Sequence, residues 1–572
     1  MTYKHLLIAA LTLACSLTVA AQAPSAVWQP DLGNGTYRNP VINADYSDPD
    51  AIRVGDDFYM TSSSFNCFPG LQILHSRDLV NWSLIGAALP DSYPGSEWLT
   101  AVQHGNGVWA PSLRYHNGEY YIYYGDPDKG IFMTKATRPE GPWSPLTLVV
   151  EGKGLIDSCP FWDEDGRAYL VHGVAGSRAG FKSVLCMAEM APDGTRLVGP
   201  DRIIFDGHDA HPTVEGPKMY KRNGYYYIFA PAGGVSTGWQ LVLRSRQPFG
   251  PWEEKVVMAQ GKTSVNGPHQ GAWVDTQTGE DWFLHFQDVD AYGRVVHLQP
   301  MRWVDDWPVI GQDKDGDGCG QPVLTYRKPN VGSTAKATIV NPAESDEFDS
   351  DRLGLQWQWH GVPSPLWAYP NAQKGVLRLY SVPQFADARN LADSPNLLLQ
   401  KFPAEAFTAT TKLTFHPNPQ LKQKGERCGL VVMGEDYATL SLTDTDQGFL
   451  LTQSDCSKSF KGTAETSNAS LNLSEVIAKS GQSRQGGQST HINQSNQSDA
   501  PEVTLYLRVE VGKGAVCQFA YSLDGKKFTN FGRPFTAQPG RWIGAKVGLF
   551  CNRPVKNNDG GWVDVDWFRI TK

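Results

Sequence analysis

Residues 215–229 read EGPKMYKRNGYYYIF. A carboxylate, Glu215, precedes Gly216-Pro217, a short strand follows, Asn223-Gly224 marks a turn, and Tyr225 to Phe229 open a second, aromatic strand. Asn-Gly between two such runs is a strong hairpin signal, and aromatic residues favour a pleated, half-buried surface. An ionisable acid at the mouth of so apolar a hairpin needs a reason.

The same word recurs. VGDDFYMTSSS around Gly55, NGEYYIYYGD around Gly118, DGRAYLVHGV around Gly166 and GEDWFLHFQD around Gly279 each set a turn glycine before an aromatic-rich strand. A second strand pair follows each, often closed by tryptophan, as in LQILHSRDLVNWSLIG and LVLRSRQPFGPWEEK. Units of about four antiparallel strands, with turn glycines 48 to 63 residues apart, predict a β-propeller. We read five blades between residues 36 and 310. The stripes Phe58-Tyr59, Tyr120-Tyr121, Tyr225 to Tyr227 and Trp282-Phe283 are expected to pack blade against blade, because large aromatics dominate β-core energetics.

In a propeller the innermost strands run the same way along the axis, so residues that open them share one channel mouth. Stepping back seven to ten residues from each turn glycine reaches Asp48, Trp109, Asp157, Glu215 and His269. Any one acid in a loop is most simply a turn residue facing water; three at matched offsets point to a shared site. An inverting sugar hydrolase needs one carboxylic acid to protonate the leaving oxygen and one carboxylate, roughly 6.5 to 9.5 Å away, to activate water. A third carboxylate nearby disfavours further negative charge and so raises the proton affinity of the acid.

Four stretches, NPVINADYSDPDAIRVGDDFYM, GVWAPSLRYHNGEYYIYY, IDSCPFWDEDGRAYL and EGPKMYKRNGYYYIF, resemble glycoside hydrolase family 43, the five-bladed β-xylosidase and α-L-arabinofuranosidase family. The resemblance spans residues 36–325 and implies Asp48 as general base, Glu215 as general acid and Asp157 as the residue that tunes and orients the acid. Asp45 and Asp50 flank the base and are its rivals. Phe65 in SSSFNCFPG, Trp109, His269 in GPHQGAW and Arg294 in YGRVVHLQP are the expected substrate-binding residues, with a structural role as the alternative for Phe65 and Arg294. The resemblance also opens a water-mediated calcium contact for His269, against the simpler reading of a satisfied polar core histidine. No cofactor is expected in the chemistry itself.

The segment DKDGDGCGQPVL from Asp313 starts like a calcium loop, but its twelfth position is Leu324 where a bidentate glutamate belongs. From DEFDSDRLGLQWQWHG to GGWVDVDWFRI, alternating strands such as VTLYLRVEV predict a second, β-sandwich domain of jelly-roll type. It resembles the concanavalin-like domain that follows many family members. By that resemblance Glu347 and Asp566 are candidates for a structural calcium clip, with ordinary surface carboxylates as the alternative.

The fold class expected is therefore all-β, with a leader at 1–21, a propeller over 22–335 and a sandwich over 336–572 carrying a flexible, Ser/Gln/Asn-rich insertion near 455–500. The leader reading rests on Lys4 and His5, an apolar run from Leu6 to about Ala14 and small residues to Ala21, which predict cleavage and export. Cys15 suggests a lipid anchor, but Thr12 and the short run argue against it. No segment is long enough to span a bilayer. The other eight cysteines form no C-x-x-C pair and their spacing assigns no disulfide.

A formal charge of −8 without local basic runs excludes nucleic acid as a partner. The partner expected is plant-derived oligosaccharide or polysaccharide, from which the enzyme removes terminal α-L-arabinofuranosyl or β-D-xylosyl units with inversion. Two alternatives stand beside this reading. One is a non-catalytic carbohydrate-binding propeller, opposed by the intact acid set. The other is a fructan or sucrose hydrolase, whose NDPNG and RDP words are absent.

Overall fold

The computed structural model of the protein describes residues 24–332, 338–479 and 501–572. The leader expected at 1–21 and the domain boundary expected at 335/336 lie outside the described residues.

Each aromatic hairpin of the repeat sits at the inner edge of a four-stranded antiparallel sheet, and there are five such sheets in chain order. The fourth is Lys218–Arg222, Tyr225–Ala232, Trp239–Ser245 and Glu253–Ala259, joined at its first turn by Arg222 opposite Tyr225. The aromatics do pack between sheets. Tyr59 of the first blade meets Tyr120 of the second at 5.4 Å, Phe161 of the third meets Tyr226 of the fourth at 6.1 Å, and Phe229 stacks on Phe283 of the fifth at 5.9 Å. Pairs at these separations add about 0.5–1.5 kcal/mol each beyond the area they bury. The ring closes where Thr36–Arg38 pairs with Thr325–Arg327 and Ile42 bridges Val296 of the fifth blade.

The second domain is two packed eight-stranded sheets, one centred on Lys546–Arg553 and Arg427–Met433, the other on Phe407–His416 and Trp562–Thr571. Alternation puts Leu505, Leu507, Val509 and Val565 into one dry core with Leu430, Leu440 and Leu549 of the facing sheet. The insertion expected near 455–500 is corrected in its first half. Thr466–Asn472 is an edge strand and Leu473–Lys479 a helix, because Leu473 and Ile477, four apart, drop onto that core. Residues 480–500 lie outside the described residues.

The domains are tied by polar contacts. Lys401 Nζ donates to Gln72 Oε1 at 2.9 Å, Gly544 N to Asp45 Oδ2 at 3.0 Å, and Ala545 N to the carbonyl of Ala291 at 2.7 Å. The last two pin the loop carrying Trp542 against the propeller.

Among the described residues no helix is long and apolar enough to cross a membrane. The eight cysteines from Cys67 to Cys551 are free thiols.

Candidate functional site

Every inner strand is entered through one residue of left-handed backbone: Asp48 (φ 54°), Ala110 (33°), Asp157 (59°), Gly216 (59°) and Gln270 (33°). In the second, third and fifth blades the same place is a β-bulge, between Trp109 and Ser112, Ile156 and Cys159, and His269 and Gly271. For residues other than glycine this conformation costs about 1–2 kcal/mol, and such strain gathers where a site demands a particular direction of the chain. Asp48 and Asp157 occupy the strained position itself; Trp109, Glu215 and His269 stand one residue before it. The match found by counting is therefore right in place and one residue out in register.

A cavity of about 670 Å³ opens among these strand entries, lined by Asp48, Asp157 and Glu215 together with Phe65, Trp109 and Arg294. That volume is ordinary for a small-ligand pocket. Six of the seven expected catalytic and substrate-binding residues thus share one space.

Asp48 is 5% exposed. Its Oδ2 accepts hydrogen bonds from Ser47 Oγ at 2.8 Å and Ser63 Oγ at 2.6 Å, while Arg294 Nη1 lies 3.4 Å from its Oδ1. Donors on both oxygens suit an anionic base. Its rivals are committed elsewhere. Asp50 Oδ2 accepts from Arg114 Nη1 at 2.6 Å and from Leu113 N at 2.7 Å, with Lys218 Nζ at 4.0 Å, so it is buried blade-to-blade scaffold. Asp45 accepts from Arg294 N at 2.9 Å and from Gly544 N, which makes it a clasp between the domains.

Asp157 Oδ2 accepts from Gly216 N at 2.8 Å and Gln270 Nε2 at 3.2 Å. Burial holds its carboxyl well above the usual carboxylate range, helped by the neighbouring charges of Glu215 and then Asp48. Glu215 is the more open of the acids, with its side chain 22% exposed, and its Oε1 lies 2.8 Å from His269 Nε2. His269 is wholly buried behind it and does not line the cavity, which corrects its expected place among the substrate-binding residues. Among the described residues its one polar contact toward the cavity is the Glu215 carboxylate.

Asp157→Asn makes the electrostatic cost measurable. A raised pKa in the fold means that the unfolded chain ionises first, so stability falls as pH rises above the usual carboxylate range. Asparagine tolerates the left-handed backbone and carries no such charge. The variant is expected to melt above the parent at pH 8, with the gain shrinking towards pH 4. It is also expected to lose activity, because the amide has no proton to keep in the acid pair.

Four contributors escaped the sequence reading. Ser63 receives a hydrogen bond from Ala110 N at 2.7 Å and passes its own to Asp48. Ser47 links Arg294 Nη1, at 2.8 Å, to Asp48. Gln270 lines the cavity, its Oε1 without a partner among the described residues. Trp542, from the sandwich, faces Trp109 at 6.0 Å and the Arg294 guanidinium at 5.9 Å. The serines lie in SDPD and TSSS words already in view; nothing local marks Trp542.

The proposed metal residues are not brought together. Glu347 is gripped by Arg569 through two bonds of 2.7 Å and Asp566 by Lys412 at 2.6 Å, so each carboxylate already has its cation. Asp313 accepts from Gly316 N and Gly318 N at 2.7 and 3.0 Å as the hub of a tight turn. His269 Nδ1 is buried with no partner among the described residues, which fits a water-mediated contact.

The chain matches the model of glycosyl hydrolases family 43 over residues 37–308 and that of the β-xylosidase C-terminal concanavalin A-like domain over residues 345–571. A β-xylosidase of Formosa agariphila is 30% identical over 96% of this chain and 92% of its own length. The non-reducing end α-L-arabinofuranosidase BoGH43B of Bacteroides ovatus is 33% identical over 73% of this chain and 77% of its own. The crystal structure of the GH43 protein BlXynB from Bacillus licheniformis superposes with a TM-score of 0.75 at 26% identity, covering 94% of this chain and 99% of that one. Both domains and the carboxylate-lined pocket are thus accounted for by one lineage: the chain belongs to glycosyl hydrolases family 43 and is a glycoside hydrolase.

Proposed function

We propose that the protein is an exo-acting, inverting glycosidase that releases terminal α-L-arabinofuranosyl or β-D-xylosyl residues from plant cell-wall saccharides. The observation that carries this reading is the unequal setting of three carboxyls around one cavity. Asp48, held by two hydroxyls and facing Arg294, takes a proton from the attacking water. Glu215, more open and aligned by His269, gives a proton to the departing oxygen. Asp157, whose burial favours its neutral form, keeps a proton in the acid pair and steers Glu215 through Gly216 N. The relatives named as β-xylosidase and α-L-arabinofuranosidase support the two sugars proposed.

NMR of the first-formed sugar tests the stereochemistry: inversion is expected, and retention overturns it. Nitrophenyl arabinofuranoside and xylopyranoside assayed in parallel rank the two substrates, and release of fructose from a fructan would refute both.

The exo reading draws support from Trp542, which with Phe65 and Trp109 makes an aromatic wall built from both domains. Trp542→Ala is expected to raise KM about 3- to 10-fold with kcat little changed, since stacking of this kind holds substrate and transition state alike.

Two further features belong to the proposal. Export through a cleaved leader at 1–21 is checked by N-terminal sequencing of the secreted protein. A calcium ion bridged by water to His269 Nδ1, when bound, would hold the imidazole and with it the angle of Glu215; calcium addition to chelated protein should then raise its melting temperature.

A further inference from the structure

The third blade carries a second group of ligating side chains. His172 in strand Ala168–Val174 stands directly opposite Cys186 in strand Val184–Met190, and Asp201 immediately precedes strand Arg202–Asp206. Side chains alternate across a sheet, so His172 and Cys186 share the face that carries Leu170 and Ala188. Gly173, next in line, faces the catalytic side, where a Cβ would sit 3.6 Å from Asp157 Oδ2. The cluster thus lies behind the active site and outside its chemistry.

His172 is 2% exposed and Cys186 8%, while the Asp201 side chain, 33% exposed, forms the rim. His172 Nδ1 lies 2.9 Å from the carbonyl of Gly173, an acceptor only, so Nδ1 carries the ring proton. The remaining Nε2 is 2.9 Å from Asp201 Oδ2, another acceptor. A neutral imidazole cannot donate from both nitrogens, so the short contact between Nε2 and the carboxylate needs a second ring proton or a cation between them. Cys186 Sγ completes a group whose ligand atoms all lie within 4.8 Å of one another.

We propose that His172 Nε2, Cys186 Sγ and the Asp201 carboxylate bind a divalent transition metal of the zinc class, with the fourth position open to water at the Asp201 rim. Nitrogen, thiolate and carboxylate are the zinc donors, and tetrahedral bonds of about 2.0–2.3 Å place ligand atoms roughly 3.3–3.7 Å apart, within reach of small side-chain rotations here. The hydrogen bond from Nδ1 to a backbone carbonyl is the usual outer contact of a metal-bound histidine. The thiolate is the ligand form of cysteine, so metal uptake releases the Cys186 thiol proton to solvent. The ion would clamp the strands that run on into Ser183, Val174 and Gly176 of the pocket wall.

The test uses tag-free full-length protein, stripped with chelator and titrated with Co²⁺. One equivalent is expected to bind at pH 7 with tetrahedral d–d bands and a thiolate-to-cobalt charge-transfer band. Zn²⁺ should displace it and raise the melting temperature. Cys186→Ser removes the charge-transfer band, and Asp201→Asn, at the exposed rim where folding is not at stake, weakens binding at least tenfold; both keep glycosidase turnover. Absence of the band, its survival in Cys186→Ser, or unchanged affinity in Asp201→Asn would overturn the site and leave the His172–Asp201 pair as a protonated ion pair, without touching the assignment of the active site.

Discussion

Glu215→Gln is expected to slow hydrolysis of an alkyl xyloside or arabinofuranoside about 10³-fold or more, with KM nearly unchanged. The amide keeps the size of the side chain and an oxygen for His269 Nε2, 2.8 Å from Oε1, so the pocket keeps its shape. What is lost is the proton owed to the departing alkoxide. The size of the loss should therefore depend on the leaving group. A nitrophenolate departs without help, so the deficit on the nitrophenyl glycoside should shrink by about ten- to a hundredfold. A deficit independent of leaving group would remove Glu215 from the role of acid.

Asp48→Asn provides the complementary result. It should lose about 10³- to 10⁴-fold on alkyl and nitrophenyl substrates alike, because water must be deprotonated whichever group departs. Asparagine tolerates the φ of 54° at this position, so the loss reports chemistry and not a broken backbone. Ser47 and Ser63, which donate to Asp48 Oδ2, can rotate to donate to the amide oxygen. The same substitution at Asp50 is expected to cost stability instead, since it uncovers Arg114 and Lys218 beside a fully buried group. Kinetic loss at residue 48 with melting loss at residue 50 would separate base from scaffold; the reverse pattern would exchange their roles.

Much of this site was readable because a propeller pairs strands that are neighbours in the chain. Turn glycines and aromatic runs are local signals, and their repetition located Asp48, Asp157 and Glu215 at the mouths of three blades. The register error of one residue has a local cause as well. Bulges at Ile156/Cys159 and His269/Gly271 insert residues that counting does not see. The residues expected to form a calcium clip have other partners in the fold. Glu347 and Asp566 lie near each other's strands, but Arg569 and Lys412, close in space, already neutralise them. The polar insertion was misjudged before residue 480 because two apolar residues, Leu473 and Ile477, were enough to dock a short helix.

Alternation, turn chemistry and repeat length, all properties of nearby residues, determined the five blades and the sandwich and set three carboxylates at blade mouths. Only the closed ring decided their chemistry. Burial, and after it the charges of Glu215 and Asp48 from other blades, push the Asp157 carboxyl above the usual carboxylate range, and Trp542 reaches the pocket only through the docked second domain. Electrostatic coupling and substrate contact act through distance in space, which the order of residues along the chain does not specify.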